Sequence, residues 1–262
     1  MALWGGVTFA PDLDPRYLLA RPDLAELALE GLVKAERYAP VRAMHGAGPV
    51  ADIFDARSER IDQLLFGEGF DVLEVSGGRA WGRARRDGVV GWIAEDALAE
   101  GRPLASHRVA TAGDLPLNAL LIEDRPGARL IGALEDDLAA VAERLLGVPH
   151  ALGGRSSLET DCSGLVQQAL MACGRAAPRW SDGQATLGEA VSHEQVRRGD
   201  IVVWLRTEPG DGAWTGHSAI LLDADRIIHA SSHHGAVVVE NFAEADARCR
   251  ADGLAAPVFR RT

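Results

Sequence analysis

The residues able to do chemistry are gathered in the last half of the chain. The segment TDCSGLVQQAL at 160–170 sets Cys162 behind Asp161, a helix-capping type, and ahead of an apolar repeat at Leu165, Val166, Ala169 and Leu170. In the first turn of a helix, unpaired N–H groups and the positive end of the dipole favour a thiolate, which would be a ready nucleophile. Taken alone, a cysteine opening a helix is more often a small buried hydrophobe, and Cys173, on the apolar face of the same helix, reads that way. A thiolate nucleophile needs an imidazole to accept and return a proton, and a polar group to hold that imidazole. His217 follows the loop EPGDGAWTG and opens the strand-like GHSAILLD, while His229 closes the next strand in DRIIHAS. Two antiparallel strands joined at 223–225 bring the start of one beside the end of the other, so the two imidazoles become neighbours. His107, His193, His233 and His234 have no such placement. The adjacent His233 and His234 lack a Cys or carboxylate at ligand spacing, so neither a metal nor another cofactor is expected.

The elements that must hold these groups follow from periodicity. EDDLAAVAERLLG at 135–147 carries Leu138, Val141, Ala142, Leu145 and Leu146 on one helical face, with Gly147 as its stop. A second helix starts at 161–162 and ends at Gly174, and strands are expected at 200–205, 217–222, 226–229 and 237–240. Helices first and strands afterwards indicate an α+β domain with an antiparallel sheet over 135–262. Upstream, residues 1–38 open as a loop rich in Pro and Gly, and Leu24, Leu27, Ala28, Leu32 and Ala35 then predict an amphipathic helix over 21–38. From 39 to 100 short apolar runs are cut by turns at Gly77 and Gly78 and at Asp87 and Gly88, the pattern of a small β-barrel. Residues 101–134 are weakly patterned and read as a linker or a degraded second barrel.

Composition narrows the function classes. The chain has 262 residues, of which 47% are apolar and 25% charged, an ordinary globular balance. With 27 basic and 38 acidic residues the net charge is −11, which argues against nucleic acid or an anionic membrane as a partner. No apolar run approaches the ~20 residues of a membrane helix. The first residues show neither a basic flank nor an apolar stretch of signal-peptide length, so a cytoplasmic location is expected. Three cysteines without CxxC spacing disfavour both a disulfide framework and a zinc site. Nothing in the sequence fixes an oligomeric state.

TDCSGLVQQAL, RRGDIVVW, GHSAILL and RIIHAS, in that order and at these separations, resemble the NlpC-type cysteine peptidases that hydrolyse bacterial cell-wall peptides. The resemblance covers about residues 135–262. It implies a papain-like catalytic domain with Cys162 as nucleophile, His217 as general base and acid, and His229 as the group orienting it. The barrel is similar to the bacterial Src-homology-3-like modules that precede such domains. The layout looks most like the recycling members that cut γ-D-glutamyl-L-diamino-acid bonds in short murein-derived peptides, whose barrel walls off one end of the cleft. In that subgroup the Asp before the nucleophile helps hold the free amine of an N-terminal L-Ala, a position matched by Asp161. Ser163 and Ser181 match polar positions facing substrate, and Glu59 matches a barrel acid near the amine.

Three departures touch the cleft. HALGG at 150–154 stands where the family has Tyr-x-Trp-Gly-Gly, so His150 replaces a Tyr that assists the oxyanion or binds substrate. Trp180 replaces the Asp of Arg-Asp-Ser, and Val89 replaces the Tyr of Asp-Gly-Tyr. Altered substrate specificity is therefore expected. The competing reading is a catalytically weak or inactive peptidase-like binding module.

Overall fold

The computed structural model describes residues 14–208 and 214–262. Residues 1–13, read above as a loop, and the middle of EPGDGAWTG lie outside them. The chain divides into two compact units. The first runs up to Ser106 and adds Ala119–Glu123, and the second takes His107–Asn118 and Asp124–Thr262. Residues 101–134 are thus shared between the units.

The first unit is built on a seven-stranded antiparallel sheet. Its strands are β1 (Arg42–Gly46), β2 (Val50–Phe54), β3 (Arg60–Leu65), β4 (Gly69–Ser76), β5 (Arg79–Ala84), β6 (Val90–Ala94) and β7 (Leu98–Glu100). They lie in the order β3-β2-β6-β5-β4-β1-β7. Gly77 and Gly78, at φ +58° and +74°, make the tight turn between β4 and β5 that the sequence signals.

The amphipathic helix expected over 21–38 is absent. Ala25–Glu26 pairs in parallel with Tyr38–Ala39, and only a 3-10 turn at Leu27–Leu29 lies between them. The reason is tertiary. Leu19 and Leu24 are buried against Trp81, with Trp92 packed alongside, and the Arg21 guanidinium lies 4.1 Å from the centre of the Trp81 ring. A helix would have needed Leu27 and Leu32 inside, yet both are exposed, and Gly31 sits at φ +82°. Burial against the sheet outweighs a weak local propensity.

The second unit opens with a short antiparallel pair, β8 (His107–Val109) and β9 (Ala128–Leu130). Next come α1 (Leu138–Glu143), α2 (Cys162–Ala172), α3 (Ser181–Gln184), β10 (Glu189–Val191), β11 (Ile201–Leu205), β12 (Gly216–Leu221), β13 (Arg226–Ser231), β14 (Ala236–Asn241), α4 (Phe242–Ala251) and β15 (Val258–Arg261). The six strands lie in the order β10-β15-β11-β12-β13-β14. Asp137 caps α1 by accepting from the N–H groups of Ala139 and Ala140, and Asn241 does the same for Ala243 and Glu244 at α4.

Strand alternation splits the core in two. Ile201, Val203, Ile220, Ile228 and Ala230 pack against α1 and α2, the latter buried along its whole length. Val202, Trp204, Ala219, Leu221 and Ile227 face the other way, onto Phe242, Ala245 and Cys249 of α4. By the same alternation, His217 and His229 belong to the α4 face. No helix of the described residues is long and apolar enough to cross a membrane, which says nothing of a β-barrel.

Candidate active site

The two imidazoles meet as the hairpin requires. His217 Nε2 lies 2.7 Å from His229 Nδ1, and the rings stand edge to face at 84°. Trp204, the register partner of His217 on β11, backs this pair at 5.7 Å between ring centroids, and its indole N–H donates to Asp246 of α4.

Cys162 arrives from the opposite face. The described ladder between β12 and β13 pairs only Ile220 with Ile228 and Leu221 with Ile227. Toward His217 the strands part, and the thiol reaches into that opening. Its Sγ donates to the carbonyl of Gly216 at 3.9 Å, and the N–H of Ser218 also faces it. The thiol thus rests against the backbone on both sides of His217, with its hydrogen on a carbonyl. Burial, and next the charge of Asp161, push the thiol up to about 12, although the N–H groups of Ser218 and Ser163 and the charge of Arg179 pull the other way. The standing thiolate expected from the helix terminus is therefore not the resting form, because desolvation outweighs the helix end. Burial also holds the His217 imidazole well below its ordinary value, aided by charge on His229, His150 and Arg248. At neutral pH these shifts leave the thiol and the His217 imidazole both uncharged.

Asp161 is the most heavily bonded group at the site. Its Oδ1 accepts from the Gly164 N–H at 2.7 Å, Arg179 Nη1 at 3.0 Å and the Ser163 hydroxyl at 3.1 Å. Its Oδ2 accepts from Arg179 Nη2 at 2.7 Å and the Gly153 N–H at 2.9 Å. Burial alone would raise this carboxyl, but the Arg179 guanidinium holds it below the usual range. Ser163 also accepts from Arg179 Nη1 at 3.1 Å. Ser181, opening α3, accepts from the hydroxyl of Ser218, the neighbour of His217. Trp180, immediately before it, is buried. His150 is bridged to Thr160, and its charge is felt by His217. Burial lowers the His150 imidazole, partly offset by Asp161. Cys162, Asp161, Ser163, Ser181, His150, His217 and His229 are thus gathered around one end of β12. Glu59 belongs to the first unit, where its exposed carboxylate pairs with Arg57 at 3.2 Å. Val89 is fully buried in that same unit.

Two further residues complete the polar chain. His229 Nε2 lies 2.8 Å from Glu240 Oε2 on β14, and both Glu240 oxygens accept from Arg248 of α4, at 2.7 and 2.6 Å. Burial would raise Glu240, yet Arg248 and His229 bring it down to about 2. Burial lowers His229 to about 4 against the pull of Glu240. Among the described residues, no group of three or more His, Cys, Asp or Glu side chains is arranged to hold a metal ion.

A cysteine opening a central helix that packs on an antiparallel sheet, with paired histidines on adjacent strands, is the arrangement of the papain-like fold. Residues 147–250 match the NlpC/P60 family, and residues 55–98 match the bacterial dipeptidyl-peptidase Sh3 domain. The chain carries an NlpC/P60 domain behind a bacterial SH3 region. Over 111 residues, 40% of this chain, it is 37% identical to a gamma-DL-glutamyl hydrolase of Bacillus subtilis (strain 168), spanning 26% of that protein. Over 93 residues, 35% of this chain, it is 31% identical to the murein DD-endopeptidase and LD-carboxypeptidase of Escherichia coli (strain K12), spanning 47% of it. The chain thus spans less than half the length of both relatives. The crystal structure of an NlpC/P60 family protein from Bacillus cereus ATCC 10987 superposes with a TM-score of 0.65 at 17% identity, covering 84% of this chain and 99% of that one, a likeness of fold.

Proposed function

We propose that this protein is a cysteine peptidase acting on short murein-derived peptides. The observation that carries this reading is the thiol of Cys162, set at the start of α2 against the backbone of an imidazole that is itself held in a hydrogen-bonded chain. Similarity to a gamma-DL-glutamyl hydrolase and to a murein endopeptidase supports the substrate class.

In this mechanism the Cys162 thiol turns from the Gly216 carbonyl and gives its proton to Nδ1 of His217, whose Nε2 is engaged by His229. The sulfur attacks the scissile carbonyl, and the N–H groups opening α2 face the developing oxyanion. The departing amine takes the proton from His217. Water, with His217 again as base, then hydrolyses the thioester.

We assign the cleaved bond as γ-D-Glu to L-diamino acid in peptides with a free N-terminal L-Ala. Ser163, Ser181, His150 and Trp180 line the substrate positions of the second unit. Asp161 already accepts five hydrogen bonds, about the capacity of a carboxylate, so it serves the amine chiefly by fixing Ser163 and the 153–154 backbone. A reducing, cytoplasmic setting suits three cysteines that are all free. The test is turnover of L-Ala-γ-D-Glu-L-diamino-acid peptides within a panel of murein fragments. Cys162→Ser should abolish hydrolysis, and His217→Ala should lower it by ~10²–10⁴-fold. No hydrolysis of any murein fragment by the wild type would refute the reading.

A further inference from the structure

We propose that Glu240, clamped by Arg248, is a positioning residue that sets the tautomers of both imidazoles, so that His217 keeps a bare Nδ1 for the Cys162 proton. The kinetic consequence rests on the peptidase reading above, but the tautomers themselves do not.

The assignment follows from counting protons along the chain of contacts. Glu240 takes two charged hydrogen bonds from Arg248 and therefore stays a carboxylate, which can only accept. His229 Nε2, 2.8 Å away, must then be the donor and carry the proton. A neutral imidazole has one N–H, so His229 Nδ1 is bare and accepts. The only donor it can accept from in this pair is Nε2–H of His217, at 2.7 Å. That places the single proton of neutral His217 on Nε2 and leaves its Nδ1 lone pair free. Reversing the first bond reverses every later one. A donor at Glu240 would move the His229 proton to Nδ1, force His217 to accept through Nε2, and put a proton on the nitrogen that must receive one. A histidine as the third group does not by itself choose between these two states, since a neutral imidazole can donate or accept at either nitrogen.

The charged and titratable groups around the pair are few and nameable. His217 feels His229, His150, Arg248 and Glu240, and His229 feels Glu240, Arg248 and His234. Asp246 on α4 is taken up by the Trp204 indole. His234 lies 3.7 Å from the Glu240 oxygen that does not face His229. Glu240 favours, and Arg248 opposes, protonation of the imidazoles, so removing one or the other shifts their titration in opposite directions.

Glu240 was invisible as a functional residue in the sequence because its link to His229 depends on register. His229 pairs with Val238, which puts Glu240 diagonally across on the same face, within reach of a long side chain.

The test uses the full-length protein labelled with ¹⁵N-histidine, and reads the ring nitrogens of His217 and His229 near neutral pH. The wild type should show both rings protonated at Nε2 and bare at Nδ1. Glu240→Gln offers Arg248 and His229 one carbonyl and one NH₂ group, and should populate the Nδ1–H form of His229. Its kcat on a murein peptide should fall by ~10²-fold or more with KM little changed, since the wrong tautomer removes the base. The acid limb of its pH profile should move to lower pH, whereas that of Arg248→Gln should move to higher pH, a pair of shifts that loss of structure alone does not produce. A wild-type His229 protonated at Nδ1, or Glu240→Gln with unchanged tautomers and an unchanged acid limb, would overturn the proposal. Should Glu240→Gln fail to fold, the wild-type spectrum decides alone. Failure of the wild type to cleave any murein peptide would sink the function while the nitrogen shifts still decide the tautomers.

Discussion

Replacing Arg179 by Met isolates what the buried ion pair under the nucleophile does. Arg179 is fully buried and gives two hydrogen bonds to Asp161, one to Ser163 and one to the Gly154 carbonyl. Methionine keeps much of the volume but leaves a buried carboxylate with no counter-charge, a change that typically costs ~3–5 kcal/mol. Against a total stability of ~5–15 kcal/mol this is a large fraction. At ~2–4 °C per kcal/mol for a unit of this size, the melting transition of the second unit should fall by about 6–20 °C. The double variant Asp161→Asn/Arg179→Met removes both charges and keeps an oxygen to cap α2, so it should recover most of that loss. The same substitutions act on the thiol. With the carboxylate uncompensated, the charge that already raises Cys162 acts without the opposing charge of Arg179, and alkylation by iodoacetamide at mildly alkaline pH should slow in Arg179→Met and recover in the double variant. Calorimetry and alkylation rates on the three proteins decide the matter. A shift of less than about 3 °C for the single variant, or a double variant no more stable than the single one, would show that this pair is not energetically coupled as its geometry demands.

Three other outcomes are expected. Gly164→Ala should lower the stability of the second unit although Ala favours a helix by ~1 kcal/mol, because a Cβ there would collide with the Gly154 carbonyl oxygen; a stabilised variant in urea unfolding would contradict this. Stability should drop on acidification in two stages. His217 and His229 are lowered below 6.5, so the unfolded chain binds their protons first and stability declines as pH falls below about 6.5; Glu240, lowered to about 2, adds a further decline below about 4.5. Unfolding free energies flat from pH 7 to 4 would refute the assignment. Restoring Tyr at His150 together with Asp at Trp180 should raise turnover of L-Ala-γ-D-Glu-L-diamino-acid peptides. An added oxyanion donor is worth ~2.7–4 kcal/mol, and steady-state rates unimproved by the double change would make these departures neutral.

The local parts of the site are legible in the sequence. Asp161 and the apolar repeat behind Cys162 announce a capped helix, and the period-2 pattern of 217–222 and 226–229 brings two imidazoles together, because capping and pleating act within a few residues. The missing helix at 21–38 shows the limit, since its apolar spacing was real but Leu19 and Leu24 found a better partner in Trp81. Helix α4 carried its signal in Asn241 and the spacing of Phe242, Ala245 and Cys249, yet its small alanines and interspersed charges left the apolar face weak. Glu240 and Arg248 needed the register of β13 on β14, which no local pattern supplies. The protonated thiol needed something less local still, because the helix terminus could be inferred while the depth of burial could not.

The segment His107–Asn118 has a bearing on inheritance. It belongs to the second unit, and the five residues after it belong to the first. Within the second unit it contributes the buried Leu117 to the core, while the Asn118 amide donates to the carbonyl and the side-chain oxygen of Gln168 on α2, at 2.9 and 2.7 Å. A recombination junction at residue 135 would deliver the nucleophile helix without the amide that ties it down. One at residue 107 would carry off five residues that are part of the other unit. Neither breakpoint is clean, so a cut at either place leaves one of the two units without residues that belong to it.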